Sequence, residues 1–157
     1  MLNIAIDAVG GDHFPHHPVQ GAIQALKERP ELNITLIGPQ KLIRDELEKQ
    51  QFSGQGLHII DAPEVVGMDE APAVAVKTKR NSSIVVGLGL HAQGKLDAFF
   101  SAGNTGALLA ASILLIRVSG GRMVSRKQLQ EYLNTPLAII GVPIYFLTGL
   151  VAMISGG

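Results

Sequence analysis

The sequence predicts an α/β domain built on a mainly parallel sheet. Short apolar runs end at turns marked by Gly or Pro. Stretches with apolar residues at helical spacing lie between them. The two kinds of segment alternate from the N-terminus to about Ile116. Such alternation is the signature of parallel strands joined by right-handed helical crossovers.

The first strand spans Leu2 to Ala8 and runs into the loop Val9-Gly10-Gly11-Asp12-His13-Phe14-Pro15. A helix is expected from Pro18 to Glu28. Pro18 suits a first helical turn, Val19, Ile23 and Leu26 share one face, and Pro30 ends the element. Asn33 to Gly38 is the second strand, stopped by Pro39. Leu42, Ile43 and Leu47 then form an apolar stripe among Arg44, Asp45, Glu46, Glu48 and Lys49, an amphipathic surface helix. Leu57 to Ala62 is the third strand. Asp69 to Lys79 reads as a short helix with Asp69 as N-cap. Ser82 to Gly94 fits two descriptions. Ile84-Val85-Val86 has strand character, whereas Val85, Leu88 and Ala92 have helical spacing. Leu96 to Ala102 is the fourth strand, and Asn104 to Ile116 is a helix rich in Ala and Leu.

Composition narrows the function. Thirteen basic residues balance thirteen acidic ones in 157 residues, so nucleic acid is not expected as a partner. The absence of cysteine removes disulfides, thiolate metal sites and a thiol nucleophile. The N-terminus carries neither a basic segment nor a long apolar run, and the chain reads as cytoplasmic.

Two loops follow strands at the carboxyl edge of the predicted sheet, where open α/β folds gather ligands. In Ser101-Ala102-Gly103-Asn104-Thr105-Gly106-Ala107, the amides of residues 104 to 106 fall where a helix begins. Such amides lack intrahelical partners, and with the helix dipole they favour an anion. Ser101 and Thr105 add hydroxyls. A plain strand-to-helix turn capped by Asn104 accounts for the same residues equally well. In Asp7-Ala8-Val9-Gly10-Gly11-Asp12-His13, the glycines permit close approach, and Asp12 more simply stabilises its own turn. His13, His16 and His17 suggest a metal, but they straddle loop and helix without an acidic ligand, so no metal is expected. Lys77, Lys79 and Arg80 form a small basic cluster, read first as a solvated face. Gly87-Leu88-Gly89 with Gly94 misses the dinucleotide-binding spacing.

Together these segments resemble one family. The opening Ile4-Ala5-Ile6-Asp7-Ala8-Val9-Gly10-Gly11-Asp12-His13 carries the resemblance, as do Ala62-Pro63-Glu64-Val65-Val66, Met68-Asp69-Glu70, and Lys77 through Leu88. Its strongest part is Asp97-Ala98-Phe99-Phe100-Ser101-Ala102-Gly103-Asn104-Thr105-Gly106-Ala107-Leu108. The chain resembles the phosphate acyltransferases, the fatty acid/phospholipid synthesis protein PlsX family, over about residues 1 to 116. The resemblance implies a three-layer α/β/α fold, like isocitrate dehydrogenases and phosphotransacetylases, with Ser82 to Gly94 helical. It implies transfer of an acyl group from acyl carrier protein to inorganic phosphate in bacterial phospholipid synthesis, without a cofactor. It also implies a homodimer whose product feeds a glycerol-3-phosphate acyltransferase at the membrane. Phosphate attacks a thioester directly, so no protein nucleophile is required. For that reaction Asp7, Asp12 and Asn104 are the catalytic candidates. Gly10, Gly11, Ser101, Gly103, Asn104, Thr105 and Gly106 would bind phosphate or substrate, with Lys77, Lys79 and Arg80 supplying charge.

The remainder departs from this pattern. Residues 117–136 read as a linker, with a short helix from Ser125 to Leu133. Leu137 to Ile154 is free of charge, at the short end of a membrane-spanning helix. Family members are considerably longer, so the resemblance implies a truncated α/β domain. The tail is read either as non-native sequence, by frameshift or junction, or as an anchor with Arg122, Arg126 and Lys127 on the cytoplasmic side. The first is preferred, because an anchor would be added to a whole enzyme rather than to part of one. The alternative functions are a non-catalytic anion-binding module and a membrane-associated module.

Overall fold

The computed structural model describes residues 2–120. Within them, β1 (Asn3–Asp7), α1 (His16–Glu28), β2 (Asn33–Gly38), α2 (Gln40–Lys49) and β3 (Leu57–Asp61) alternate in order. Two successive helices follow, α3 (Pro72–Thr78) and α4 (Ser83–Ala92), then β4 (Ala98–Phe100) and α5 (Thr105–Gly120). The four strands form one parallel sheet in the order β3-β2-β1-β4. Ile6 of β1 sits between Leu36 of β2 and Phe100 of β4. The chain steps outward from β1 to β3, then crosses back to lay β4 on the other edge of β1. The loops after β1 and β4 therefore flank the point where strand order reverses, the place such sheets reserve for ligands.

Strand alternation sends successive side chains to opposite faces. On one face Val19, Ile23, Leu26, Ile34, Leu36 and Ile43 pack under α1 and α2. On the other, Ala5, Ile37, Ile84, Leu88, Phe99 and Ala107 pack under α3, α4 and α5. This is the expected three-layer α/β/α arrangement. Ile34, Leu36, Ile37 and Ile43 are fully buried, each contributing about 1.5–3 kcal/mol over exposure.

Several element bounds differ from expectation for visible reasons. Helix α1 begins at His16 rather than Pro18, because the amides of His17 and Val19 donate to the carbonyls of His13 and Pro15. Asp69 is exposed and caps nothing; α3 starts at Pro72, whose missing N–H is no loss in a first turn. Residues 67–70 instead close a turn in which the Gly67 amide donates to Glu70 Oε1 at 2.7 Å. Ser83 to Ala92 is helical, and Gly87 admits the Phe99 ring: a Cβ there would lie 2.2 Å from it. Strand β4 is only three residues long. The expected helix Ser125–Leu133 and the apolar run Leu137–Ile154 lie outside the described residues. Among the described residues no helix is long and apolar enough to cross a membrane.

One polar cluster ties α1 to α2. Glu46 is buried, and its carboxylate accepts from Gln50 Nε2 at 2.9 Å, meets His16 Nδ1 at 2.7 Å and lies 3.4 Å from Lys49 Nζ. These contacts, with Gln50 first and His16 second, lower its pKa from 4.5 to about 2.

Candidate functional site

Asp7 closes β1 with a buried carboxylate, 3 % exposed, that must find partners where it stands. Its Oδ1 accepts from the Val9 amide at 3.1 Å, and its Oδ2 accepts from the Ser101 hydroxyl at 2.7 Å. Ser101 Oγ in turn accepts from the Gly103 amide at 3.1 Å. A hydroxyl has one proton, so Ser101 has none left for a ligand. The chain Asp7–Ser101–Gly103 laces the two loops together across the β1–β4 junction.

Gly10 completes the seam. A Cβ on it would lie 2.8 Å from the Gly103 nitrogen, 2.9 Å from Asp7 Oδ2 and 3.0 Å from the Ala102 nitrogen. Only glycine fits between two backbones that close. Gly11 has φ +88°, the left-handed region that glycine enters without strain.

Asn104 is buried at the start of α5, and all of its side chain is engaged. Oδ1 accepts from the Ala107 amide at 2.9 Å, the geometry of a helix N-cap. Nδ2 donates toward the carbonyls of Gly67, Met68 and Glu70 at 3.0, 3.2 and 3.2 Å. Asn104 is thus both cap and clamp, holding the 67–70 turn against the helix start. Gly106 lies against Pro72, whose Cγ would be 2.5 Å from an added Cβ, so α3 closes the same junction from another side.

What this leaves free is backbone. Among the described residues, the amides of Gly10, Gly11, Asn104, Thr105 and Gly106 donate to no protein acceptor. Thr105 is exposed, and three consecutive N–H groups without protein acceptors stand at the start of the 16-residue helix α5, where they carry partial positive charge.

The basic cluster is not brought to this turn. Lys79 Nζ is committed to the Val65 carbonyl at 2.7 Å and to the Glu70 carboxylate. That lysine, then the Gly67 amide, holds the Glu70 carboxyl below its ordinary range. Arg80 Nε donates to the Lys77 carbonyl at 3.4 Å. Lys77 is exposed in the last turn of α3, the end away from Pro72 and Gly106. Asp12 is exposed. The rings of His13 and His17 meet at a tilt of 60° with centroids 4.7 Å apart, and His16, its ring 5.6 Å from that of His17, also bonds Glu46. Among the described residues no group of three or more His, Cys, Asp or Glu is placed to hold a metal ion.

A cleft of about 450 Å³ opens at the β1 loop. Asp7, Gly10, Gly11, Asp12 and His13 line it. So do Pro18 and Gly21 of α1, Ile6 of β1 and Phe100 of β4, which sequence reasoning did not single out for a ligand, and His17, which it weighed only for a metal. Residues 104–106 are not among its lining; they adjoin it through Ala102 and the contact of Gly10 with Gly103. Sequence gave no sign that residues 67–70 would grip Asn104, since they lie 34 to 37 positions away.

A family model described as fatty acid synthesis protein matches residues 2–136, beyond the expected edge near residue 116. A phosphate acyltransferase of Magnetococcus marinus is 45% identical over 120 residues, covering 76% of this chain and 34% of that protein. One from Salinibacter ruber is 47% identical over 116 residues, covering 73% and 34%. One from Clostridium botulinum is 40% identical over 138 residues, covering 87% and 41%. The chain thus spans between a third and a little over two-fifths of the length of these relatives.

Proposed function

From the premise that this chain belongs to the fatty acid synthesis protein family, we propose that it carries the phosphate-positioning part of a phosphate acyltransferase. The donor is the thioester of an acyl carrier protein and the acceptor is inorganic phosphate. A phosphate oxygen attacks the thioester carbonyl carbon, a C–O bond forms, the C–S bond breaks, and the carrier thiolate leaves with a proton from solvent. Such a reaction needs an anion held beside an electrophilic carbon and donors for the developing oxyanion. Holding reactants in line supplies up to about 7–11 kcal/mol of the barrier, so binding loops serve as the main device.

The observation that carries this reading is the row of unpaired amides at Asn104, Thr105 and Gly106 beside those of Gly10 and Gly11. Thr105 and Gly106 hold the phosphate, and the Thr105 hydroxyl adds a donor. Asp7, Ser101, Gly103 and the Asn104 side chain act by positioning, because their polar atoms are already spent on one another and on neighbouring backbone. Asp12 faces the cleft as the remaining candidate to touch substrate. Lys77 and Arg80 draw in anions from a distance rather than by contact, and Lys79 braces the 67–70 turn. The same reading includes a cytoplasmic homodimer that passes acyl phosphate to a glycerol-3-phosphate acyltransferase at the membrane.

Thr105 offers a clean test. It is the first residue of α5, where proline is welcome and only the N–H and the hydroxyl are lost. Thr105→Pro is expected to weaken inorganic phosphate binding by about tenfold or more with an unchanged melting temperature. Thr105→Val, which keeps the N–H, is expected to weaken it less. Isothermal titration with phosphate reads both, and a folded Thr105→Pro that binds like wild type would overturn the reading. A non-catalytic anion-binding module is favoured instead if phosphate binds but no acyl phosphate forms from acyl carrier protein thioester.

A further inference from the structure

We infer that the cleft between α1 and the β1–β4 junction seats the unbranched hydrocarbon chain of the acyl donor, and that Gly21 and Phe100 set how much chain it admits. This rests on the acyl-transfer reading above. Two independent observations lead to it. Phe100 is a large apolar side chain left 52 % exposed, although it stands beside Ile6 in parallel register on the face that α1 and α2 cover. Both line the cleft, and with Pro18 they give it a wall without hydrogen-bonding side chains.

Gly21 is the second observation. It sits in the interior of the 13-residue helix α1, where glycine weakens a helix relative to alanine. Nothing in the fold calls for it. A Cβ at Gly21 would meet no atom within 4 Å, and its backbone is not in the left-handed region. Gly21 is exposed and lines the cleft, so a side chain there would stand at its edge. Gly89 of α4 is equally unhindered but lines no part of this cleft. The polar side chains of the cleft are gathered at one end: Asp7 closes β1, Asp12 and His13 lie in the loop after it, beside the unpaired amides of Gly10 and Gly11, and His17 stands in the first turn of α1. An amphipathic ligand fits this arrangement, with its carbonyl at the glycine loop and its chain between α1 and Phe100.

The test uses the full chain with cis-parinaric acid, a fluorescent fatty acid, displaced by decanoic or palmitic acid. Inorganic phosphate binding is titrated separately. Wild type is expected to bind the probe and to release it more readily to palmitic than to decanoic acid. Gly21→Leu is expected to bind it about tenfold more weakly, the loss of roughly two methylene contacts. Gly21→Ala is expected to bind within about threefold of wild type and to melt higher. Phe100→Ala is expected to weaken binding as well, without relying on α1. Phosphate affinity is expected to stay level across all three variants. No probe binding by wild type, or a Gly21→Leu affinity within about twofold of wild type, overturns the inference. Probe binding without any phosphate binding supports the cleft and sinks the acyl-transfer reading alone.

Discussion

Replacing Asn104 by Asp separates two roles that one side chain performs. As an N-cap, aspartate equals asparagine, and its charge suits a helix start. As a clamp it fails, because the carboxylate would face the carbonyls of Gly67, Met68 and Glu70 with no proton to give. Asn104→Ala removes the cap, about 1 kcal/mol. It also removes two amide protons shared among three part-buried carbonyl acceptors, about 1 kcal/mol each. The sum is roughly 3 kcal/mol. Asn104→Asp keeps the cap and loses the rest, with repulsion added, so its cost is expected to match or exceed that of alanine, about 3 kcal/mol or more. Urea unfolding of the purified chain reads the difference. With a slope of about 1–3 kcal/mol per M, the midpoint falls by about 1 M or more. An Asn104→Asp protein within about 0.5 kcal/mol of wild type would refute the clamp and leave only the cap.

Two further perturbations follow from the packing and charge described above. The folded Glu46 carboxyl titrates near 2 against an ordinary 4.5. Its stabilising contribution is therefore full above pH 4.5 and is lost as pH falls toward 2. Glu46→Gln is expected to flatten that part of an acid-unfolding profile followed by circular dichroism, and an unchanged profile would count against the buried network. Gly87→Ala would drive a methyl into the buried Phe99 ring. A loss of about 1–3 kcal/mol is expected in thermal melts, largely recovered by adding Phe99→Leu; no loss would mean that the α4–β4 contact is looser than drawn.

The alternation of elements was legible because each strand is a short apolar run that ends at a glycine- or proline-marked turn. The same local grammar placed the loops of Gly10 and Gly103 at one sheet edge. It left Ser82 to Gly94 open between strand and helix, since the reason for Gly87 is an aromatic ring twelve residues later. Asn104 was readable as a cap from its neighbours alone. Its three carbonyl partners were not, because they arrive from a turn more than thirty residues upstream. Lys79 carried positive charge in the sequence, but only the fold reveals that Glu70 and the Val65 carbonyl occupy it. Gly21 and Phe100 looked like ordinary helix and strand residues until the fold brought both to the lining of one cleft.

The link from Ser101 to Asp7 closes a loop of 94 residues. Contacts so distant along a chain form late, after nearer pairings have met the entropic cost of bringing the ends together. On the ribosome, Asp7 Oδ2 waits without its Ser101 partner until β4 and the first turn of α5 have emerged, while β2 and β3 already have their partners. Anion capture at that junction would therefore report complete assembly of the sheet, and a nascent chain halted before Ser101 should hold much of its fold yet no grip on phosphate.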